Sequence, residues 1–194
     1  MKIKRICVNC GSSPGLLKEY AQAASELGKL LAQNDIELVF GGADAGLMGK
    51  IADAVLNNGG KVTGVIPKKI ADKVGHIGLT ELRIVNSMHE RKQTMFDLSD
   101  AFIALPGGIG TLEEIFEIMT WSQLGIHEKP FGLLNTSGYY DKLMEYLKYS
   151  VSQRFVREEH LSALAISDSP SDLLKQLYDY KSVKVDKWID RNSK

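Results

Sequence analysis

Continuous apolar runs alternate with amphipathic stretches along nearly the whole chain. The runs at 3–9, 36–40, 61–66, 81–85, 101–105 and 131–135, with a weaker one at 163–166, are short and mostly β-branched or aliphatic. Between them, 16–33, 47–58, 87–98, 111–123 and 139–152 carry apolar residues at helical spacing, and 168–180 closes the series. Short apolar runs separated by helices belong to strands buried on both faces. The pattern therefore predicts an α/β protein: a Rossmann-like three-layer sandwich, its mostly parallel sheet of about seven strands covered by helices on both faces.

Length and charge narrow the picture. The chain has 194 residues, enough for one domain with a substantial core, and no repeat or linker divides it. The expected domain is 1–194, with 181–194 as a loosely docked tail that mixes charges with Val183, Val185 and Trp188. Lysine plus arginine and aspartate plus glutamate both number 24, so no basic excess points to nucleic acid or to an anionic membrane. Met1-Lys2-Ile3-Lys4-Arg5 runs straight into a strand without a signal-peptide core. No segment approaches the roughly 20 apolar residues of a membrane helix. The expectation is a soluble cytoplasmic protein.

Cys7 and Cys10 form a C-x-x-C, but a redox pair sits at a helix N-terminus, where the dipole lowers a thiol pKa. Here the first cysteine lies in a strand, where positions i and i+3 face opposite ways. No second pair completes a zinc site.

Glycines cluster where three strands end: Gly11-Ser12-Ser13-Pro14-Gly15, then Gly41-Gly42 with Gly46, then Gly107-Gly108-Ile109-Gly110. Ligands of open α/β sheets bind outside the carboxyl ends of the strands, so three clusters on one edge point to a nucleotide-sized site. Two common owners of such a site are excluded. The first turn lacks G-x-G-x-x-G and the second strand ends Val39-Phe40-Gly41 without an acidic residue, which argues against a dinucleotide. A Walker loop around Gly49-Lys50 would need glycine at Asp44 and serine or threonine at Ile51.

Pro106-Gly107-Gly108-Ile109-Gly110-Thr111-Leu112-Glu113-Glu114 is the most informative stretch. A strand, a glycine-rich turn and a helix start in that order form an anion cradle. Glu114 has two readings. It is N3 of a capping box with Thr111 at N-cap, or it is a chemical group beside the bound anion. Crowding of Glu113, Glu114 and Glu117 beside an anion site favours the second. Leu112, Ile115, Phe116 and Met119 form one apolar stripe, while Ile118 and Trp121 on the Glu114 side suggest a second packed surface, such as a partner subunit. The other cluster is Met88-His89-Glu90-Arg91-Lys92, at the start of the preceding helix. Cations there oppose the helix dipole by about 0.3–1 kcal/mol each, which is easier to accept if an anion binds nearby. Arginine offers that anion a planar fork.

These residues carry a family resemblance. The stretch from Pro106 to Glu114 matches P-G-G-x-G-T-x-x-E of the LOG ("Lonely guy") family, the cytokinin riboside 5′-monophosphate phosphoribohydrolases long labelled as lysine decarboxylases. The segment from Met88 to Lys92 resembles the family's second signature. Gly41-Gly42 with Gly46-Leu47-Met48-Gly49 resembles its second turn, and Cys10-Gly11-Ser12-Ser13 its first. The segment from Trp121 to Pro130 is similar to the one after its motif helix, so the likeness spans nearly the whole chain.

The resemblance implies a homodimer that hydrolyses the N-glycosidic bond of an adenine-type nucleoside 5′-monophosphate, giving free base and ribose 5-phosphate. It implies a catalytic pair, Arg91 and Glu114, and a phosphate site of Gly107, Gly108, Gly110 and Thr111. Lys92, Glu113 and Thr120 would complete the substrate shell together with Gly11, Ser12, Gly41, Gly42 and Met88. The partner is then a small-molecule nucleotide, and neither cofactor nor metal is expected. Decarboxylation would need a Schiff-base lysine with a bed for pyridoxal phosphate, and no lysine here has that context. The alternative is a non-catalytic nucleotide or molybdenum-cofactor carrier of the same superfamily, which would use the cradle without needing Glu114.

Overall fold

The computed structural model describes residues 2–182, apart from the side chains at 72–74. Beyond residue 182 the expected tail lies outside the described residues. In chain order the elements are β1 (Arg5–Asn9), α1 (Lys18–Gln33), β2 (Glu37–Phe40), α2 (Gly46–Asn57), β3 (Val62–Pro67), α3 (Lys68–Val74), β4 (Glu81–Val85) and α4 (Met88–Leu98). There follow β5 (Ala101–Ala104), α5 (Ile109–Gln123), β6 (Phe131–Leu134), a 3₁₀ turn (Thr136–Gly138), α6 (Asp141–Ser152), α7 (Glu158–Ser162), β7 (Leu164–Ser167) and α8 (Pro170–Tyr178). All seven strands pair in parallel, in the order β4-β3-β2-β1-β5-β6-β7.

Every run read as a strand is one, within a residue or two. The differences are at helix ends and in short helices. Helix α1 begins at Lys18 rather than at residue 16, leaving Leu16 almost fully exposed. Helix α8 begins at Pro170 because Ser169 is its N-cap, accepting from the Asp172 N–H at 3.3 Å. Helices α3 and α7 were not expected. Seven and five residues are too few for a helical period to show against its surroundings.

The alternation of side chains along each strand divides the core in two. Ile6 and Val8 of β1 face Ala24, Leu27 and Leu31 of α1, Ile51 and Val55 of α2, and Leu173 of α8. Cys7, between them, faces the other way with Val39, Phe102, Ala104 and Phe131, beneath Met95 of α4, Ile115 and Ile118 of α5 and Leu147 of α6. Cys7 and Cys10 thus fall on opposite faces, both buried, and burial raises both thiols well above the ordinary range. Neither has the environment of a redox centre. No helix among the described residues is long and apolar enough to cross a membrane.

The surface of α5 around Ile118 and Trp121 makes contacts within the chain. Ile118 is buried, and Trp121 meets Phe96 of α4 edge-to-face at 4.9 Å. His127, in the loop after α5, joins the same aromatic group, 5.3 Å from Phe96. Its Nε2–H donates to the Ile118 carbonyl at 2.9 Å and its Nδ1 accepts from the Lys129 N–H at 3.0 Å, so the neutral ring fits. Burial first, and then the Lys129 charge, hold its pKa below the usual histidine value despite the opposing bonds.

A base whose pKa is lower in the folded state binds fewer protons there than in the unfolded chain. Stability from His127 should therefore be intact above its unfolded value of about 6.5 and be lost as pH falls below it. Urea unfolding at pH 7.5 and 5.5 measures this. The loss on acidification should be smaller in His127→Gln, and an equal loss in both proteins would acquit His127.

Candidate functional site

The sheet changes direction at β1, which has β2 on one side and β5 on the other. Loops leaving β1 and β5 diverge at this switch point and leave a crevice. All three glycine clusters meet there. The Gly11 N–H donates to the Pro106 carbonyl at 3.0 Å, and the Leu47 N–H donates to the Gly11 carbonyl at 3.0 Å, so the three turns are stitched together. Gly46 makes the second stitch possible. Its φ is +55°, and a Cβ there would run into the Ser12–Ser13 backbone.

The crevice holds a cavity of about 300 Å³, at the lower end of the roughly 300–1,000 Å³ of small-molecule sites. Its floor is Val8, Asn9, Cys10, Gly11 and Ser12, with Gly41 and Met48 on one side and Gly108, Ile109, Gly110 and Thr111 on the other. Arg91 and Glu114 also line it. A larger cleft of about 730 Å³ lies at the amino ends of the strands, but its chemistry is self-contained. There Glu37 pairs with Arg5, and Asp100 accepts from the Lys4 and Arg5 N–H groups.

Helix α5 starts two residues earlier than the sequence suggests. Its N-cap is Gly108, which makes Thr111 the third helical residue and removes the capping box. No side chain caps the helix. The first backbone bond to enter it is Leu112 N–H to the Gly108 carbonyl, so the N–H groups of Gly108, Ile109, Gly110 and Thr111 have no protein partner among the described residues. Unpaired donors at a helix N-terminus form an anion site.

Relieved of capping, Glu114 does something else. Its carboxylate accepts from Arg91 Nη1, across from α5 to α4. The two side chains are only 10% and 16% exposed, which makes this a largely buried ion pair opening on the cavity. Arg91 Nε donates to the Val65 carbonyl at 3.1 Å, so the guanidinium is held from both ends. Gly41 leaves room for it, since a Cβ there would strike the guanidinium. Helix α4 that carries Arg91 is set by Ser87, which accepts from the Glu90 N–H at 3.1 Å, while Glu90 accepts from the Asn86 N–H at 2.7 Å. Beside this pair, Lys92 Nζ donates to Glu113 and, at 2.9 Å, to Glu117. Burial disfavours the charged form of Lys92, but the bonds to the two carboxylates outweigh it and raise its pKa.

Residues 48–177 match the family described as "Possible lysine decarboxylase". The chain is 48% identical over 180 residues to the Arabidopsis thaliana cytokinin riboside 5′-monophosphate phosphoribohydrolase LOG1, covering 92% of this chain and 84% of that protein. It is 46% identical, also over 180 residues, to the Oryza sativa subsp. japonica protein named probable cytokinin riboside 5′-monophosphate phosphoribohydrolase LOGL2, covering 92% and 74%. The chain belongs to the LOG family. Solved structures agree on the fold alone. The molybdenum cofactor binding protein of Rippkaea orientalis matches with a TM-score of 0.71 at 21% identity, over 92% of this chain and 98% of that one.

In this LOG chain the two signatures form two walls of one cavity, and the residues expected from them divide into groups. Arg91, Glu114, Gly108, Gly110, Thr111, Gly11, Ser12 and Gly41 all line it. Gly107 lines the neighbouring cavity instead. Gly42 lies behind the wall, its carbonyl accepting from the His76 N–H at 2.9 Å. Lys92 lines a narrow apolar space of about 20 Å³ between α4 and α5, which shares Asn9 and Glu114 with the main cavity, while Glu113 stays at the surface on Lys92. Met88 and Thr120 are exposed and line neither space, so the structure does not gather them with the others.

Sequence reasoning missed Asn9 and Met48. Asn9 is buried at the end of β1 and accepts from the Cys7 thiol at 3.4 Å. A polar residue ending an apolar strand beside Gly11 was the available signal. Met48 sits in the LOG-like second turn, but nothing in the sequence alone tells which side of α2 faces the crevice.

Proposed function

We propose that the chain hydrolyses adenine-type nucleoside 5′-monophosphates, AMP or its N6-prenylated relatives, to free base and ribose 5-phosphate. The carrying observation is the buried Arg91–Glu114 pair at the edge of a cavity where the start of α5 offers four unpaired N–H groups. A phosphate on those donors at the start of α5 fixes the ribose against Glu114, and positioning supplies part of the rate.

In the reaction the bond from C1′ to the base nitrogen breaks and its electron pair leaves with the base. Water oxygen bonds to C1′, and a proton reaches the departing base. Positive charge develops on the ribose, as in glycoside hydrolysis. Three tasks suit a carboxylate there: stabilising that charge, holding the ribose hydroxyls, or activating the water. Arg91 orients the carboxylate and would balance electron density on the departing base. Gly11, Ser12 and Gly41 would surround the substrate, with Lys92 and Glu113 setting the position of α4 against α5.

The carrier alternative uses the same cradle but gives a desolvated Arg91–Glu114 pair no task, and its representatives resemble this chain only at the level of fold. Supporting the hydrolase reading, the relatives at 46–48% identity are named phosphoribohydrolases. For this enzyme we also propose a homodimer, on the strength of the family resemblance, and a cytoplasmic location.

Incubation with AMP, isopentenyl-AMP and adenosine, followed by chromatography of the bases, is the test. Free base should appear from the monophosphates and not from adenosine. Purine monophosphates left intact by pure protein would end the hydrolase reading.

A further inference from the structure

The anion cradle is shaped from behind. Tyr139, just after the 3₁₀ turn that follows β6, donates its hydroxyl to the Gly107 carbonyl at 2.5 Å. Gly107 precedes the Gly108 N-cap, so the Thr111 N–H is open as at any helix start, and the bond to Tyr139 acts elsewhere. It fixes one donor. The Gly107 carbonyl and the Gly108 N–H belong to one trans peptide and point in opposite directions. Turning the carbonyl toward Tyr139 turns the Gly108 N–H away from it.

Two cavities flank this loop and share Gly11, Ser12 and Gly108. Tyr139 and Gly107 line one, while Arg91, Glu114 and Thr111 line the other. The Gly108 N–H is therefore sent toward the side that holds the buried ion pair. Tyr139 is itself braced, edge-to-face against Tyr20 at 5.6 Å and Tyr140 at 5.0 Å. The Tyr140 hydroxyl in turn donates to the Leu105 carbonyl at 2.6 Å, where the loop leaves β5.

We propose that Tyr139 is a positioning residue for phosphate recognition: its hydroxyl holds the Gly107–Gly108 peptide so that the N–H group of Gly108 faces the bound phosphate. This rests on the reading of the crevice as the site of a nucleoside 5′-monophosphate. It touches no substrate atom and acts only through the backbone of the loop.

The test is Tyr139→Phe in the full chain, which keeps the ring contacts and removes the donor. Inorganic phosphate is the probe, followed by calorimetric titration, beside kcat and KM for AMP and the melting temperature. The variant should bind phosphate about tenfold more weakly and show a KM for AMP raised by a similar factor, as losing one well-placed hydrogen bond implies. Its kcat and melting temperature should stay close to those of the parent. Phosphate affinity unchanged in the variant would overturn the proposal, as would a parent protein that does not bind phosphate. A fall in kcat and melting temperature without a selective loss of phosphate would overturn it too, because that is the mark of a merely structural tyrosine. If the parent binds phosphate and the variant does not, yet neither hydrolyses AMP, the positioning role stands and only the hydrolase reading falls.

Discussion

Glu114→Gln is expected to lower kcat/KM for AMP by roughly 10²–10⁴-fold, the usual worth of a well-placed acid–base group, while the chain stays folded. Glutamine keeps the shape of the side chain and one oxygen for Arg91 Nη1, so the pair loses charge without losing its hydrogen bond. The variant isolates the carboxylate's chemistry from its packing. Steady-state kinetics beside a thermal melt make the comparison. A carrier would keep its affinity for the nucleotide in this variant and would have no turnover to lose. A hydrolase that kept its turnover in Glu114→Gln would force the chemistry onto another residue. The capping reading would have predicted only a small loss of stability, and it no longer applies, because Gly108 rather than Thr111 begins the helix.

Arg91→Ala should cost both activity and stability. The guanidinium bonds to Glu114 and to the Val65 carbonyl, and its removal leaves a carboxylate only 16% exposed without its counter-charge. Breaking a buried pair from one side typically costs about 3–5 kcal/mol, far more than the pair adds when intact. Urea unfolding should register that loss, and kcat/KM should fall by about 10²-fold or more as the carboxylate loses its orientation. In Arg91→Ala/Glu114→Ala the stability loss should be smaller than the sum of the two single losses, since the stranded charge is gone. Additive losses would mean that the two side chains do not act as a pair.

The fold was legible because central strand runs such as 101–105 and 131–135 are apolar without alternation, as in a sheet covered on both sides, although the edge run 81–85 alternates. The alternation of side chains along β1 sends Cys7 to the face opposite Cys10, as the spacing implies. Boundaries were less legible. The capping box at Thr111 was a sound local pattern that lost to a glycine N-cap, and the advantage of that loss is four N–H groups left open. The second surface of α5 was legible as apolar, but its contact with Phe96 of the same chain was not.

By itself the sequence determined the layer architecture, the three glycine turns and the two charged signatures, because period, turn chemistry and residue type are local properties. Tertiary structure alone decided that Arg91 and Glu114, 23 positions apart, close on one another. It alone decided that Asn9 and Met48 share their cavity while Thr120 and Met88 do not, and that Tyr139, 32 positions from Gly107, bonds to its carbonyl. These are matters of strand order and crossover. Placing β5 beside β1 brings together turns nearly a hundred residues apart, and no local pattern encodes that adjacency.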